Sequence, residues 1–495
     1  MLSEKDILKL QNGSDVRGIA VDGVAGETVN LTEEAVNRIA SGFVIFLEKK
    51  LQKKILKIAI GHDSRITAKK LSTAVISALV AKGVKVFDCG LSSTPAMFMS
   101  TVFDETKVDG AIMLTASHLP FNRNGMKFFT RDGGLDKNDI KEVLTNAAQV
   151  EEIHADISGV EKFDLISLYS NHLCKKIRDK LQFGEKPLEG MHIVVDAGNG
   201  GGGFFATKVL ILLGANVDGS QFLEPDGMFP NHIPNPEDKV AMAAIKKSVL
   251  DNHADLGLIF DTDVDRMSAV LNDGEEVNRN ALIAMMAAIL APDYPNSTIV
   301  TDSVTSDGLT KFLEGTLKLK HHRFKRGYKN VINECIRLNN AGIVSPLAIE
   351  TSGHGALSEN FYLDDGAYLA VKLLIAAAQV QRQGKNLAAL IADLEKPAEA
   401  IEYRLKISAE DFKAYGEKVL VAFKQRAIEK NIKLAEPNYE GVRLIFNDGW
   451  ALLRLSLHDP NMPLNIESNV EGGCKKISDT VKNLLTGFDA LIFDF

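Results

Sequence analysis

The sequence of 495 residues is long enough for about three to four domains, since a typical domain contains roughly 100–200 residues. Hydrophobic residues make up 45% and charged residues 25%, which excludes a disordered, collagenous or low-complexity protein. The net charge of −8 argues against a protein that coats nucleic acid, although a cleft with local positive charge can still bind an anionic substrate.

The cysteine spacing and the lack of long apolar segments indicate a cytoplasmic protein. The four cysteines lie far apart and form no CxxC pair, which argues against a zinc knuckle or a disulfide framework and favours a reducing compartment. The longest apolar stretch, residues 281–291, is too short to span a bilayer, and the N-terminal segment has no signal-peptide core. We therefore expect neither a membrane nor a nucleic acid as partner. The sequence does not decide between a monomer and a homodimer.

Strand and helix patterns alternate along most of the chain. A short apolar run is followed by helically spaced apolar residues in three places: 57–60 with 67–82, 192–195 with 204–213, and 298–301 with 307–313. Strands that alternate with helices predict mixed or mostly parallel sheets covered on both faces.

Three apolar runs stop abruptly in a polar loop. Gly110–Leu114 is followed by TASHLPFNRNG, Leu256–Phe260 by DTDVDR, and residues 346–349 by ETSGHG. Ligands of open α/β sheets bind at the carboxyl ends of the strands. The pattern predicts three similar α/β domains, each with one ligand-binding loop. We expect their boundaries at residues 1–160, 161–277 and 278–397.

The C-terminal residues have a different pattern. Residues 407–432 predict one long amphipathic helix. Residues 443–446 and 451–455 are predicted strands on either side of Asn447-Asp448-Gly449, which is typical of a hairpin turn, and residues 478–485 form a final helix. Residues 398–495 are therefore expected to form a smaller α+β domain.

The segment DTDVDR carries the strongest candidate for a metal site. In an extended segment alternate side chains share one face, so Asp261, Asp263 and Asp265 would converge. Clustered carboxylates repel each other unless a cation lies between them, and oxygen ligands alone favour Mg²⁺ or Ca²⁺ over zinc. Arg266 and Asn272 occupy positions where an EF-hand needs glycine and glutamate, so that site is excluded. A solvated acidic turn is the alternative.

Ser117 follows the strand Gly110–Leu114 and is surrounded by His118, Arg123 and Lys127. A serine hydroxyl can carry a phosphoryl or acyl group when a base and an electrophile are close. The G-x-S-x-G elbow of the α/β-hydrolases is absent. A serine that caps a turn is the alternative.

Other segments offer weaker signals. Glu350 and Ser352 are two residues apart, so in an extended segment both would face the same side and could bind adjacent sugar hydroxyls. The glycines at 198, 200 and 203 match GxGxxG, with Glu224 further on, but a tight strand-to-helix turn explains them equally well.

Basic residues lie beside glycine or serine in four loops, which suits phosphate contacts or surface turns: residues 14–18, 61–65, 326–329 and 454–460.

Taken together, these segments resemble the α-D-phosphohexomutase superfamily, the phosphoglucomutases and phosphomannomutases. TASHLP…NGMK resembles the family's phosphoserine loop, with Leu119 in place of the usual asparagine, while DTDVDR resembles the metal loop and ETSGH the sugar-specificity loop. Residues 15–18 resemble the early arginine loop, and residues 230–237 resemble a further segment. The resemblance covers essentially the whole chain in the family's order. It implies four domains around a central cleft that closes over the sugar.

The resemblance implies an isomerase that interconverts hexose 1-phosphate and hexose 6-phosphate, of glucose and/or mannose. Ser117 would carry the phosphoryl group, and hexose 1,6-bisphosphate would be the intermediate and activator. Mg²⁺ would be held by Asp261, Asp263 and Asp265, with a phosphoserine oxygen as a further ligand. Lys127 would be the general acid/base, with a pKa depressed by neighbouring cations.

The remaining site residues also take their roles from the resemblance. Arg17, His118 and Arg266 would stabilise the transferring group or move protons. Substrate would be bound by Glu350, Ser352, His354, Lys329, Arg454, Ser456 and His458. The family's last phosphate loop usually reads RxSGTEP, whereas this chain has RLSLHDP, which alters the hydroxyl and amide groups available to a phosphate.

Several alternatives remain open at this stage. Glucose, mannose and glucosamine phosphates share the hydroxyls that Glu350 and Ser352 would bind, so a phosphoglucosamine mutase is one alternative. A metal-dependent sugar phosphatase would use the same serine and metal. A non-catalytic sugar-phosphate sensor is compatible with the altered last loop, and an NAD enzyme built on the glycine run is the most distant alternative.

Overall fold

The computed structural model describes residues 2–456 and 459–493. The chain divides into two compact units: unit 1 comprises Met1–Leu282 and Ser352–Leu390, and unit 2 comprises Ile283–Thr351 and Ile391–Phe495. All four cysteines are buried and free. Among the described residues, no helix combines the length and the apolar character that crossing a membrane requires.

Unit 1 begins with a mixed sheet in the strand order β1-β2-β6-β5-β3-β4-β8, and β7 pairs with β6. In chain order the elements are α1 (Glu4–Leu8), β1 (Gln11–Asn12), β2 (Asp15–Ile19), α2 (Glu33–Leu51), β3 (Lys57–His62), α3 (Ala68–Ala81), β4 (Lys85–Leu91), α4 (Thr94–Met99), β5 (Gly110–Leu114), β6 (Arg123–Thr130), β7 (Gly133–Gly134), α5 (Lys137–Ala148) and β8 (Glu161–Lys162). Strand β3 is parallel to β4 and β5, whereas β6 is antiparallel to β2 and β5.

The burial of these elements follows from their apolar patterns. All five residues of β5 are buried, as expected for a continuous apolar run in the interior of a sheet. Helix α2 buries Val36, Ile39, Phe43 and Leu47 at helical spacing, and the Thr32 hydroxyl caps it by accepting from the Ala35 amide. The segment that resembled an arginine loop is the strand β2, so Arg17 projects from a sheet.

The second sheet of unit 1 has four strands in the order β12-β11-β10-β9. Its elements are α6 (Leu165–Leu181), β9 (Ile193–Asp196), α7 (Lys239–Asp251), β10 (Leu256–Phe260), β11 (Met267–Leu271) and β12 (Glu276–Val277). β9 and β10 are parallel, and the other pairs are antiparallel. The helical segment predicted at 204–213 is a π-helix, Phe205–Leu210, followed by a 3₁₀ turn, Ile211–Leu213.

Residues 279–349 form a third α/β region. Its elements are α8 (Arg279–Leu290), β13 (Thr298–Thr301), α9 (Asp307–Lys311), β14 (Lys320–Arg323), α10 (Tyr328–Asn340) and β15 (Leu347–Ile349). β13 is central and parallel to both β14 and β15. The predicted strand at 298–301 is confirmed, while the predicted helix at 307–313 continues beyond α9 as a π-helix, Phe312–Thr316.

The chain then returns to unit 1 in the antiparallel pair β16 (Gly355–Leu357) and β17 (Leu363–Asp364), followed by α11 (Gly366–Arg382). The Asp365 carboxylate caps α11 by accepting from the Tyr368 amide, and it also accepts from the buried Tyr169 hydroxyl on α6. This contact joins α11 to α6 beside the second sheet.

The C-terminal part of unit 2 is an antiparallel sheet in the order β19-β20-β21-β22-β18-β23. Its elements are β18 (Glu399–Ile407), α12 (Phe412–Glu429), β19 (Lys433–Leu434), β20 (Val442–Phe446), β21 (Gly449–Leu453), β22 (Asn461–Ser468), α13 (Gly473–Leu484) and β23 (Leu491–Ile492). The predicted hairpin is confirmed, because β20 pairs antiparallel with β21. The prediction of one helix over 407–432 was too long, since Ile407 ends a strand.

Candidate active site

Ser117 lies directly beyond the carboxyl end of β5 and has φ +49, a left-handed conformation that is uncommon for residues other than glycine. Its amide donates to the Thr115 hydroxyl at 2.9 Å, and only 7% of the residue is exposed. The loop thus turns the serine hydroxyl inward from the end of the first sheet.

The Ser117 hydroxyl contacts one anion and one cation from the loop that follows β10. It donates to Asp261 Oδ2 at 3.0 Å and accepts from Arg266 Nη2 at 2.7 Å. Arg266 Nε also donates to Asp261 Oδ2 at 3.1 Å, so its guanidinium binds the carboxylate and the hydroxyl together. The serine loop and the metal-loop candidate therefore meet within unit 1.

The three aspartates converge as predicted, but by a different backbone route. The segment after β10 is a turn in which Val264 has φ +67, rather than an extended strand. Carboxylate oxygens of Asp261, Asp263 and Asp265 all lie within 4.8 Å of one another, and all three residues are buried. The three carboxylates converge because of this turn. The prediction that they converge was correct, but the extended segment from which it was argued is not present.

The donor set fits a hard divalent cation. Asp263 Oδ1 and Asp265 Oδ1 are buried and have no hydrogen-bond partner among the described residues, which is costly for carboxylate oxygens unless a cation binds them. Burial and the charges of Asp265 and Asp263 raise the pKa of Asp261 well above its usual value. All candidate ligands are oxygens, the donors that Mg²⁺ prefers.

Lys127 lies among these carboxylates. Its ammonium donates to Asp263 Oδ2 at 2.9 Å and contacts Asp265 Oδ2. Although burial lowers it, the carboxylates of Asp263 and Asp265 raise the pKa of Lys127 well above its usual value. The expected depression of this pKa by neighbouring cations is wrong, because carboxylates rather than cations are its nearest charged neighbours.

His118 and Arg17 flank the serine loop. His118 Nδ1 lies 3.4 Å from Ser117 Oγ and accepts from Arg266 Nη2. Burial and the charges of Arg266 and Arg17 lower the pKa of His118 to about 2, so its imidazole is neutral at physiological pH. Arg17 donates to the Thr115 carbonyl oxygen at 2.7 Å and to Asp15 at 2.8 Å.

His354 supports the metal loop from the segment that precedes β16. It forms a backbone bridge with Arg266, and its Nδ1 contacts Asp364 and lies 3.8 Å from Asp265 Oδ1. Although burial lowers it, Asp364 and Asp265 raise the pKa of His354 to about 9. These contacts place Asp265, His354 and Asp364 in one buried ion-pair network.

Two hydrogen bonds from Thr94 to Asp263 were not predicted from the sequence. The Thr94 hydroxyl at the start of α4 donates to Asp263 Oδ2 at 2.5 Å, and its amide donates to the Asp263 carbonyl at 2.8 Å. The sequence Ser93-Thr94-Pro95 marks a helix start, which was the available signal. Nothing in the local sequence indicates that the helix start touches Asp263.

The glycine run packs closely against the metal loop. The Gly201 amide donates to the Thr262 carbonyl at 2.8 Å, and a Cβ at Gly200 would lie 2.7 Å from Thr262 Cα. A Cβ at Gly203 would lie 2.4 Å from the Leu223 carbonyl oxygen. These glycines therefore allow the backbone of the glycine run to pack directly against the backbone at Thr262 and Leu223. This tight packing explains the glycines without a dinucleotide site.

The other predicted residues fall in both units. In unit 1, Ser352 Oγ is buried without a hydrogen-bond partner among the described residues. In unit 2, Glu350 Oε1 accepts from the Gly327 amide at 2.6 Å, and Lys329 lies in the first turn of α10. Ser456 follows β21, and its hydroxyl accepts from the Asp459 amide at 3.2 Å, whereas His458 lies outside the described residues.

Arg454 also lies in unit 2, in the loop after β21. Its Nε is buried without a hydrogen-bond partner among the described residues. Burial and the charge of Arg326 lower the pKa of Arg454. The charges of Glu440, Glu402 and Asp302 oppose this shift.

Comparison with known proteins identifies the family. The family models for phosphoglucomutase/phosphomannomutase α/β/α domains I, II and III match residues 9–154, 168–274 and 278–397. A probable phosphoglucosamine mutase of Methanocella arvoryzae is 30% identical over 434 residues, which cover 87% of this chain and 90% of that protein. This chain belongs to the α-D-phosphohexomutase superfamily.

Further relatives support the family and the fold. Phosphomannomutase/phosphoglucomutase of Pseudomonas aeruginosa is 28% identical over 481 residues, covering 96% of this chain and 95% of that protein. A phosphoglucomutase/phosphomannomutase family protein of Burkholderia thailandensis superposes with a TM-score of 0.80 at 24% identity, with both chains fully covered. The predicted fold class, three α/β domains and a C-terminal α+β domain, is confirmed, and so is the prediction of a phosphohexomutase-type isomerase.

Proposed function

We propose that this phosphohexomutase interconverts hexose 1-phosphate and hexose 6-phosphate, of glucose and/or mannose, through phosphorylated Ser117 and a hexose 1,6-bisphosphate intermediate. The observation that carries the proposal is the environment of the Ser117 hydroxyl, which contacts Asp261 and Arg266 beside three convergent carboxylates. A buried hydroxyl with a cation on its oxygen suits a group that is phosphorylated and dephosphorylated in each cycle. The division at residues 160, 277 and 397 is retained as part of the proposal.

Arg266 accounts for the reversibility of the transfer. In the first step a sugar hydroxyl attacks the phosphoryl group of Ser117: the bond from phosphorus to the sugar oxygen forms, the bond from phosphorus to Oγ breaks, and negative charge develops on Oγ, to which Arg266 Nη2 already donates. The proton lost by the sugar hydroxyl ends on Oγ. In the return step the Ser117 hydroxyl attacks the other phosphate of the bisphosphate, the bond from that phosphorus to the sugar oxygen breaks, and the proton of Ser117 ends on the sugar oxygen. Because the donor is in place before the reaction, it stabilises this charge in both directions without reorganisation.

We propose that Asp261, Asp263 and Asp265 hold Mg²⁺, together with an oxygen of the phosphoserine. The bound cation would neutralise the charge of the transferring phosphoryl group. Thr94 and Lys127 both donate to Asp263 and so fix the orientation of its carboxylate.

The contacts and charges of Lys127, His118 and Arg17 suggest a separate role for each. Lys127, which contacts Asp263 and Asp265, acts as a cation that stabilises the phosphoryl group and, as an acid, can donate a proton to the sugar oxygen that leaves. His118 is neutral and orients Arg266 by accepting from it. Arg17 holds Thr115 in place by donating to its carbonyl oxygen. The hydroxyl of Thr115 in turn accepts a hydrogen bond from the Ser117 amide.

We propose that the remaining residues bind the sugar phosphate. Glu350 and Ser352 bind sugar hydroxyls, and the unpartnered buried hydroxyl of Ser352 supports this role. His354 and Lys329 bind polar groups of the same substrate. Arg454 and Ser456, with His458, bind the phosphate that is not transferred, a role supported by the buried Arg454 Nε, which has no hydrogen-bond partner among the described residues.

Phosphorus NMR tests the reaction. The protein is incubated with each hexose 1-phosphate, Mg²⁺ and a trace of the matching 1,6-bisphosphate, and the spectrum is followed for the 6-phosphate. Labelled bisphosphate should transfer one phosphoryl group to the peptide that contains Ser117, and Ser117→Ala should abolish both the labelling and most of the interconversion. An alanine variant that interconverts at the parent rate, or a label on His118, would overturn the proposed mechanism.

A phosphoglucosamine mutase is the second candidate, because the relative in Methanocella arvoryzae carries that description. The two candidates are separated by comparing kcat/KM for glucose, mannose and glucosamine 1-phosphates in the same assay. Net release of inorganic phosphate instead of the 6-phosphate would favour a phosphatase. Tight binding without any turnover would favour a sugar-phosphate sensor.

A further inference from the structure

Arg65 is a fully buried cation that none of the roles above uses. It lies in the turn after β3, and its side chain and that of Asp63 are both 0% exposed. Its backbone amide donates to Asp63 Oδ1 at 3.0 Å, and its Nε lies 3.4 Å from Asp63 Oδ2. The sequence predicted that residues 61–65 contact a phosphate or form a surface turn. A fully buried guanidinium is not on the surface and is not accessible to a phosphate in solution.

The two terminal nitrogens of Arg65 donate to four backbone carbonyl oxygens of the serine loop between β5 and β6. The acceptors are Ser117 at 2.5 Å, Leu119 at 2.6 Å, Pro120 at 2.7 Å and Arg123 at 2.8 Å. The loop therefore curls around one guanidinium group. These carbonyl oxygens point at Arg65, so their negative ends do not face a phosphate on the serine.

A segment between β9 and α7 covers the side of Arg65 that faces away from the serine loop. The guanidinium carbon lies 5.3 Å from the centre of the Phe229 ring, within the range of a cation–π contact. A Cβ at Gly227 would lie 2.4 Å from the Ile66 amide nitrogen, so this segment packs directly on the Arg65 turn. The guanidinium has little freedom to take another position.

The serine loop needs such a support because Ser117 has φ +49. A left-handed conformation is strained for a residue with a side chain, and glycine is the residue that avoids this strain. Glycine cannot replace a serine that carries a phosphoryl group. The hydrogen bond from Arg65 to the Ser117 carbonyl holds the peptide that immediately follows this backbone conformation.

We propose that Arg65 is a positioning residue for phosphoryl transfer, which holds residues 117–123 so that the Ser117 hydroxyl meets Asp261 and Arg266. The inference rests on the proposed role of Ser117. Arg65 acts through the backbone and touches no reacting atom. Lysine cannot substitute for it, because a single ammonium has three donors at one point and cannot span four carbonyls arranged around a planar group.

Arg38 provides a matched control in the same unit. It is also a buried arginine whose side chain donates to backbone carbonyls, those of Leu2, Ala147 and Ala148, at 2.9, 3.3 and 3.2 Å. These acceptors lie outside the serine loop. Arg65→Lys and Arg38→Lys therefore remove the same kind of contact, but only one of them loosens residues 117–123.

The experiment compares both variants with the parent for kcat, KM and single-turnover transfer of label from hexose 1,6-bisphosphate to the protein. Arg65→Lys should lower kcat and the labelling rate by about 100-fold, the effect of displacing a reacting group by about 1 Å, and change KM by less than about threefold. Arg38→Lys should leave all three values near those of the parent. Guanidinium at low concentration should partly restore kcat in Arg65→Ala but not in Ser117→Ala.

The outcomes separate this inference from the proposed function. A parent enzyme that never labels Ser117 overturns the proposed function itself. If the parent is labelled but Arg65→Lys reacts at the parent rate, or if its whole effect lies in KM, only the inference about Arg65 is overturned. Arg65→Gln, which keeps two donors without a buried charge, replaces the lysine variant if that does not fold. Failure of both to fold while Arg38→Lys folds assigns Arg65 to general stability and overturns the positioning role.

Discussion

Glu467 on β22 is a carboxyl group whose ionisation we expect to weaken unit 2 near neutral pH. Burial, assisted by the charge of Asp307, raises its pKa from 4.5 to about 7, although the Trp450 indole and the Arg443 guanidinium oppose this shift. Because the folded-state pKa is the higher one, the stability contributed by this group is fully present below about pH 4.5 and is lost as the pH rises through about 7.

The size of the effect follows from these two values. The difference between about 7 and 4.5 corresponds to about 3 kcal/mol, since each pH unit is worth about 1.4 kcal/mol. Glu467 is partly exposed, so solvent screening reduces this to about 2 kcal/mol. Glu467→Gln keeps an acceptor for the indole N–H and cannot ionise. Its stability advantage over the parent should therefore grow by about 2 kcal/mol between about pH 5 and pH 8.

Fluorescence reads the titration directly, because Trp450 is the only tryptophan in the chain. Its indole N–H donates to Glu467 Oε2 at 3.0 Å, and the guanidinium carbon of Arg443 lies 3.6 Å from its ring centre. Parent emission should change with a midpoint near pH 7, and Glu467→Gln should abolish the change.

Glu402→Gln is the control for this experiment. Although burial raises it, the Asn465 amide and Arg404 hold the pKa of Glu402 below its usual value, so this variant should keep the parent titration. Parent emission that stays constant between about pH 5.5 and 8.5, or a titration that persists in Glu467→Gln, would refute the reasoning.

The other predictions concern the metal loop, the phosphate loop and a close backbone contact. Thr94→Val removes the hydroxyl that donates to Asp263, so Mg²⁺ titration of turnover should show about 10–100-fold weaker affinity, whereas Thr94→Ser should resemble the parent. Asp263→Asn should lower kcat at least about 100-fold, and undiminished parent turnover in EDTA would remove the metal from the mechanism. Arg454→Ala should raise KM about tenfold or more with kcat nearly unchanged, since a non-reacting phosphate is bound equally in ground and transition states; an unchanged KM contradicts the assigned role. Gly203→Ala would force a Cβ to within 2.4 Å of the Leu223 carbonyl oxygen and should cost about 1–3 kcal/mol, seen as a lower Tm, while Gly159→Ala, at an open position, should not.

The main elements around the active site could be predicted because their signals are local. The strands β5 and β10 are continuous apolar runs, and both are fully buried. Each run ends in polar residues at the carboxyl end of a strand, where ligands bind in α/β sheets. Ser117 and the three aspartates of the metal loop were therefore identifiable from the sequence and from the family resemblance.

The sequence did not decide the boundary between β18 and α12 or the hydrogen-bond pattern of the helices. Ile401, Tyr403, Leu405 and Ile407 alternate in β18, a strand signal that the prediction did not use, and Ile407 was assigned to the helix that follows. The π-helix at Phe205–Leu210 has helical spacing in the sequence, and the hydrogen-bond pattern that distinguishes it from an α-helix is visible only in the structure.

Only the tertiary structure decided which charges surround each site residue. Thr94 and Asp263 are 169 residues apart in the chain, yet their side chains are hydrogen-bonded. Lys127 has a raised pKa because two carboxylates from the second sheet approach it, and Arg65 is buried because the serine loop wraps around it. The sequence by itself determined which residue types stand at the ends of which strands. A pKa or a loop conformation depends on burial and on charges at distances of a few ångströms, and those neighbours come from distant parts of the chain.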